Sequence, residues 1–157
     1  MQGPKGMAGD RQFCTFRLGD LFLGIDVLQV QEVLRTQAMT RVPLAPRAVR
    51  GLINLRGQIV TAIDLRERLG LPSLEDGRQA MNVVVRTEDG AVSLLVDDIG
   101  DVLEADCSSC EAPPETLRAE ARELIPEVYK LPDRLLLILD TERALRLEAV
   151  AHHDKEN

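Results

Sequence analysis

A mainly β chain built from two similar halves about a pseudo-twofold is what the 157 residues predict, and three observations predict it. Short apolar runs are bounded by Gly, Asp and Pro, the punctuation of strands and tight turns. The apolar residues, 45% of the chain, are almost all Val, Leu, Ile and Ala, with only Phe13, Phe16, Phe22 and Tyr129 as rings. A strand-Asp-helix unit also occurs twice. Ile59-Val-Thr-Ala-Ile-Asp64-Leu-Arg-Glu-Arg-Leu69 returns as Leu135-Leu-Leu-Ile-Leu-Asp140-Thr-Glu-Arg-Ala-Leu145. Leu23-Gly-Ile-Asp26 is matched more faintly by Leu94-Leu-Val-Asp97, each pair continuing to an acid followed by Val-Leu (Glu32-Val33-Leu34, Asp101-Val102-Leu103). The offsets, 76 and 71 residues, are close enough to suggest duplication rather than two separate uses of an Asp cap.

The elements follow in order. Phe13 to Leu18, a turn at Gly19-Asp20 and Leu21 to Ile25 make a first hairpin. Asp26 can cap a short helix with Val27, Val30, Val33 and Leu34 at helical spacing, broken by Pro43 and Pro46. Leu52 to Leu55 and Ile59 to Ile63, turning at Arg56-Gly57, make a second hairpin. Asp64 then caps a helix over Leu65 to Leu69 that Gly70 and Pro72 end. Beyond a polar linker, Leu74 to Ala80, come Asn82 to Arg86 and Ala91 to Val96 around Glu88-Asp89-Gly90, and a short strand near Val102-Leu103. An acidic, proline-containing stretch runs from Asp106 to Glu123, Arg134 to Leu139 is the last strand, and Asp140 caps a helix through Leu145. Residues 1–11 read as a flexible leader, 12–147 as one domain of two subdomains and 148–157 as a polar tail.

Composition narrows the function. With 26 acidic against 19 basic residues the net charge is -7, and no Trp is present, which argues against nucleic-acid binding by backbone contact or base stacking. The longest apolar run, Leu135 to Leu139, is far too short to span a membrane, and no apolar leader occurs, so a cytoplasmic protein without membrane insertion is expected. His152 and His153 are the only histidines and lie in the polar tail, no phosphate-binding glycine loop occurs, and the Asp97-Asp98 pair reads as a cap or solvated turn. No catalysis, cofactor or metal is expected. Cys107 and Cys110 form a C-x-x-C that would need two further ligands to hold zinc, which leaves a metal- or redox-responsive regulator as a distant alternative.

Charge is uneven. Residues 1–80 carry 11 basic and 8 acidic groups, whereas 81–157 carry 8 and 18. From Gln37 to Ile63 four arginines, Arg41, Arg47, Arg50 and Arg56, occur without an acid, a locally positive surface that reads either as solubility or as one of two faces with different partners. Within this stretch Gly51-Leu-Ile-Asn-Leu-Arg-Gly57 presents a guanidinium at a hairpin turn ringed by apolar surface. Glu32 is the nearest acid partner, and two readings stay open: an internal Glu32–Arg56 bridge, or direct contact with another protein.

The sequence resembles the CheW-like adaptor proteins of bacterial chemotaxis. The residues that carry the resemblance are Phe16-x-Leu-Gly-Asp, Gly24-Ile-Asp-Val-Leu-x-Val-Gln-Glu-Val, Arg41-Val-Pro with Pro46, and Gly51-Leu-Ile-Asn-Leu-Arg-Gly-x-Ile-Val-x-x-Ile-Asp-Leu-Arg66. Leu95-Val-Asp97, Val102-Leu and Leu137-Ile-Leu-Asp140 continue it, so that it covers about Gln12 to Leu147. It implies two five-stranded SH3-like β-barrels around a shared hydrophobic groove. It also implies a non-catalytic cytoplasmic adaptor that bridges chemoreceptor tips to the regulatory domain of a sensor histidine kinase, for swimming or for another chemosensory output such as surface motility or development. By motif match, Val30, Glu32, Gly51, Asn54, Arg56, Gly57 and Ile59 are expected at or directly behind partner surfaces. The Cys107-Ser-Ser-Cys110 segment, the sparse rings and the short polar tail depart from the family pattern.

Overall fold

The computed structural model describes residues 10–72 and 80–146, with side chains for all of them except Asp10 and Cys107. The linker from Leu74 to Gln79, the tail beyond Arg146 and most of the leader lie outside the described residues. The first hairpin forms as expected: β1 (Asp10–Leu18) and β2 (Leu21–Asp26) turn on Gly19, whose φ of 58° is one that glycine adopts without strain.

The helix expected over Val27 to Leu34 is not there. Asp26 does cap, accepting from the Leu28 N–H at 2.9 Å, but what it caps is a single 3-10 turn, Val27–Gln29. The chain then extends as β3 (Val30–Leu34), in which half-buried Val30, Glu32 and Leu34 alternate with exposed Gln31 and Val33. The β-branched valines favour this extended state, and pairing to the later strand Met81–Thr87 supplies its backbone hydrogen bonds. The second hairpin, β4 (Val49–Leu55) and β5 (Gln58–Asp64), leads into α1 (Leu65–Leu69). There Asp64 accepts from the Arg66 and Glu67 N–H groups, and Gly70, at φ 77°, closes the helix.

Strands β6 (Met81–Thr87) and β7 (Gly90–Val96) form the third hairpin, and β8 (Asp98–Asp106) is much longer than the short strand expected near Val102. The acidic stretch also holds more structure than expected: a 3-10 turn (Cys107–Ser109), the two-residue β9 (Cys110–Glu111) and α2 (Ala119–Leu124). It is followed by β10 (Glu127–Lys130), β11 (Leu135–Ile138) and α3 (Thr141–Ala144), the last capped by Asp140.

The strands make two sheets, ordered β8-β1-β2-β11-β10-β9 and β3-β6-β7-β5-β4. Both contain the same motif. A hairpin (β1-β2 or β6-β7) has an antiparallel strand on one side (β8 or β3) and, on the other, a parallel strand (β11 or β5) with its own hairpin partner (β10 or β4). Duplication is therefore visible as topology, with a crossover that local patterns do not reveal. After β2 the chain leaves for the other sheet to lay down β3, and after β7 it returns to lay down β8. Each half is completed by a strand from the other.

Burial follows this plan. The central core joins both sheets through residues such as Phe16, Leu23 and Leu137 on one side and Ile63, Val83 and Leu94 on the other, with Leu65 and Leu69 of α1 and Leu124 of α2 sealing it. Each sheet also encloses a smaller interior. Phe13, Phe22, Tyr129, Leu136 and Ile138 fill the first, and Ile53, Leu55, Val60, Ala62, Val84 and Leu95 the second. The halves are sheets of six and five strands, and strand pairing among the described residues closes neither into a complete barrel. The second sheet nevertheless curls on itself: Leu34 of edge strand β3 packs against the cluster that holds Ile53 and Leu55 of the opposite edge strand β4.

Candidate partner surface

The β4-β5 turn is built from its own sequence. Leu55 and Gln58 pair across it, Arg56 and Gly57 both have positive φ (51° and 88°), and the Asn54 side-chain oxygen accepts from the Gly57 N–H at 2.9 Å. Two consecutive positive φ values mark the tight hairpin turn whose twist suits the flanking strands. Gly57 meets this requirement freely. Arg56 does not, since a left-handed backbone costs an L-residue about 1–2 kcal/mol.

The Arg56 guanidinium donates to the Glu32 carboxylate, spanning the gap between edge strands β3 and β4. With the Arg56 side chain 68% exposed, water screens this pair, and its contribution is at most about 1 kcal/mol. The bridge therefore offsets only part of the strain at Arg56. The internal bridge is thus present, and its guanidinium still faces solvent.

The other candidates divide by exposure. Asn54, Gly57 and Ile59 are exposed, Ile59 to 60%. Val30 is half-buried on β3 beside Glu32. Gly51 is buried, and a Cβ there would lie 2.6 Å from the Thr40 carbonyl oxygen. Its role is to let the segment around Thr40 lie against β4, where Thr40 and Leu52 exchange both backbone hydrogen bonds at 2.9 and 2.8 Å. The second half also exposes Val33, Met39, Val42 and Leu44, and the turn leading into it exposes Leu28 to 81%. Leu28 was hidden from the sequence reading because a helix over that segment gave it no distinct place.

An open groove of about 980 Å³ runs between the halves. Val49, Ile59, Ile63 and Val92 form its apolar floor on the second sheet, Thr141 and Leu145 its opposite wall, and Arg86, Glu88, Asp89 and Glu142 a charged rim. The shared groove expected from the resemblance is present, with a more polar rim than "hydrophobic" conveys.

At the joint between the halves, Arg66 of α1 donates to both carboxylate oxygens of Asp97, at 2.8 and 2.5 Å, and Asp97 also accepts from the Gly19 N–H at 2.8 Å. Asp97 is therefore no solvated turn. It is the anchor where the chain crosses back from β7 to β8, while its neighbour Asp98 points outward, 60% exposed.

Elsewhere the side chains are structural. Arg11 donates to Glu127 at 2.7 Å, and the Cys110 thiol lies 3.2 Å from the other oxygen of the same carboxylate. Burial pushes the Cys14 thiol above its ordinary pKa. Among the described residues no group of three or more His, Cys, Asp or Glu could hold a metal, and no helix is long and apolar enough to cross a membrane. His152 and His153 lie outside the described residues.

Two sheets around a groove, with an arginine held at left-handed φ in one hairpin turn, make up a mainly β frame. Residues 12–149 match the CheW-like domain model. The chain is 31% identical to the chemotaxis protein CheW of Klebsiella aerogenes over 90% of this chain and 85% of that one. It is 34% identical to CheW of Bacillus subtilis over 80% of each. The solved scaffolding protein TtCheW of Thermoanaerobacter tengcongensis superposes with a TM-score of 0.73 at 27% identity, covering 82% of this chain and 88% of that one. This chain belongs to the CheW-like family of scaffold and adaptor proteins.

Proposed function

We propose that the chain is a non-catalytic cytoplasmic adaptor that couples the cytoplasmic tips of chemoreceptors to the regulatory domain of a chemotaxis-type sensor histidine kinase, with residues 12–147 as the working domain. The observation that carries this is Arg56. A residue held at left-handed φ, bridged to Glu32 yet mostly exposed amid aliphatic side chains, costs the fold more than it returns, and such strain collects where a surface is used. Asn54 and Gly57 shape its turn, Val30 and Glu32 stand across the gap, Ile59 reaches the groove, and Gly51 supports from behind.

The groove suits an amphipathic helical tip, laid with its apolar face on Ile59, Ile63 and Val92. The exposed aliphatic end of the second half suits an apolar contact from the kinase domain, with Arg56 fixing its register. Each contact is modest alone and gains strength through repetition in an array.

Titration calorimetry with a receptor cytoplasmic fragment and with a kinase regulatory domain tests this. Arg56→Glu is expected to weaken at least one interaction about tenfold or more, equivalent to about 1.4 kcal/mol, with the fold intact. Unchanged affinity for both partners would remove the role given to Arg56.

A further inference from the structure

Three residues, Val27–Gln29, connect the two halves, and they touch both proposed contact surfaces. Gln29 and Arg86 line the groove. Leu28, between Val27 and Gln29, is an exposed apolar side chain, one of those assigned above to the kinase contact. The turn is tied from two directions. From the first half, Gln29 Nε2 donates to Thr141 Oγ1 at 3.1 Å. From the second, Arg86 Nη1 donates to the Leu28 and Val30 carbonyl oxygens at 3.3 and 3.0 Å. Arg86 thereby reaches from the groove rim to the backbone that presents Leu28 and leads directly into Glu32.

We infer that Arg86 is a positioning residue that links occupancy of the groove to affinity at the Leu28–Arg56 surface; this rests on the adaptor reading above. Its guanidinium is exposed, so water competes for the donors that hold the turn. A helix lying in the groove excludes that water and strengthens the same hydrogen bonds, because their surroundings become less polar. The turn then spends less time loosened, and Leu28 meets a second partner already in place, with less ordering left to do. The linkage is positive, and it is reciprocal by thermodynamic necessity.

The experiment titrates the kinase regulatory domain onto the full chain, with and without saturating receptor cytoplasmic fragment, and reads the ratio of the two affinities. For the unaltered chain the fragment is expected to tighten the kinase domain by roughly two- to thirty-fold. Arg86→Ala should bring the ratio to one, Arg86→Lys should recover part of it, and Gln29→Ala, which cuts the other tie, should also lower it. Should Arg86→Ala fail to fold by circular dichroism, the Lys and Gln29 variants decide the matter. A ratio of one in the unaltered chain, or an unchanged ratio in the variants, overturns the linkage and leaves the adaptor reading standing. Failure of the unaltered chain to bind either partner overturns the adaptor reading itself.

Discussion

The two halves share one strand plan and differ in what fills and what covers it. The first interior is aromatic: Phe13 and Tyr129 pack with ring centroids 5.5 Å apart, and Phe22 joins them. The second interior holds only aliphatic side chains. At the surface the order reverses. Among the described residues, Val33, Met39, Val42, Leu44 and Ile59 are the large apolar side chains exposed on the second half, with Leu28 on the turn leading into it, against Val102 on the first. The same strand plan thus carries aromatic bulk inside one half and exposed apolar surface on the other, and under the proposed function the first half anchors while the second engages.

The sharpest test of that contrast is truncation of each interior. Phe13→Ala, at a fully buried ring that also lies under the Arg11 guanidinium, is expected to cost about 3–5 kcal/mol in urea unfolding. Ile53→Val in the second interior should cost only about 0.5–1.5 kcal/mol. Equal losses would mean that the two interiors are not specialised as the packing indicates.

The joint comes next. Asp97→Ala takes the two-pronged carboxylate from the Arg66 guanidinium, 13% exposed, and deprives the Gly19 N–H of its acceptor, so a loss of about 3 kcal/mol is expected from breaking this nearly buried pair. The adjacent Asp98→Ala removes only an exposed contact to Arg17 and should stay within about 0.5 kcal/mol. The two substitutions, one residue apart, separate the inter-half anchor from surface charge by the same denaturation measurement.

Much of this was legible in the sequence because it is local. The hairpins at Arg56-Gly57 and Gly90, and the helices capped by Asp64 and Asp140, rest on side chains that bond to their own neighbouring backbone, and the Gly19 hairpin on a glycine that accepts positive φ. The Glu32–Arg56 pair was legible through the turn that displays Arg56 and the scarcity of other acids nearby. What escaped notice depends on distant partners. Val27, Val30 and Val33 recur at helical spacing, yet β3 forms because β6, over fifty residues later, offers it a ladder. Strand β10 has just two buried residues, Val128 and Tyr129, to signal it, and β9 is shorter still. The exchange of β3 and β8 between halves, and with it the roles of Asp97 and Arg86, is a property of topology that no run of neighbouring residues encodes.

A smaller effect is expected where stability and recognition pull apart. Asn tolerates left-handed φ far better than Arg, so Arg56→Asn should relieve strain at the turn and raise stability by about 0.5–1 kcal/mol, after loss of the screened pair to Glu32. Partner affinity should fall in the same variant. If stability and affinity fell together, the turn would be an ordinary structural element, and the contrast between an anchoring and an engaging half would lose its main support.

The last contrast shows in titration. Tyr129, the chain's single tyrosine, lies in the first interior, where burial, aided by the Glu127 carboxylate and opposed by Arg11, raises its phenol pKa above the ordinary value near 10. The folded state therefore keeps a proton that the unfolded chain releases, and the unfolded state binds fewer protons across that interval. Stability from this source is whole below about pH 10 and declines as pH rises through the window between the ordinary and the raised value. Ultraviolet absorbance of the phenolate, unobscured because Trp is absent, should titrate above the free-tyrosine midpoint in the folded protein and return to it in urea. Arg11→Ala removes the one neighbour that favours the phenolate, its guanidinium 3.4 Å from the hydroxyl, and should move the midpoint higher still. A folded midpoint at the free value would mean that water reaches the ring, and that the first half is not the closed, aromatic anchor its packing describes.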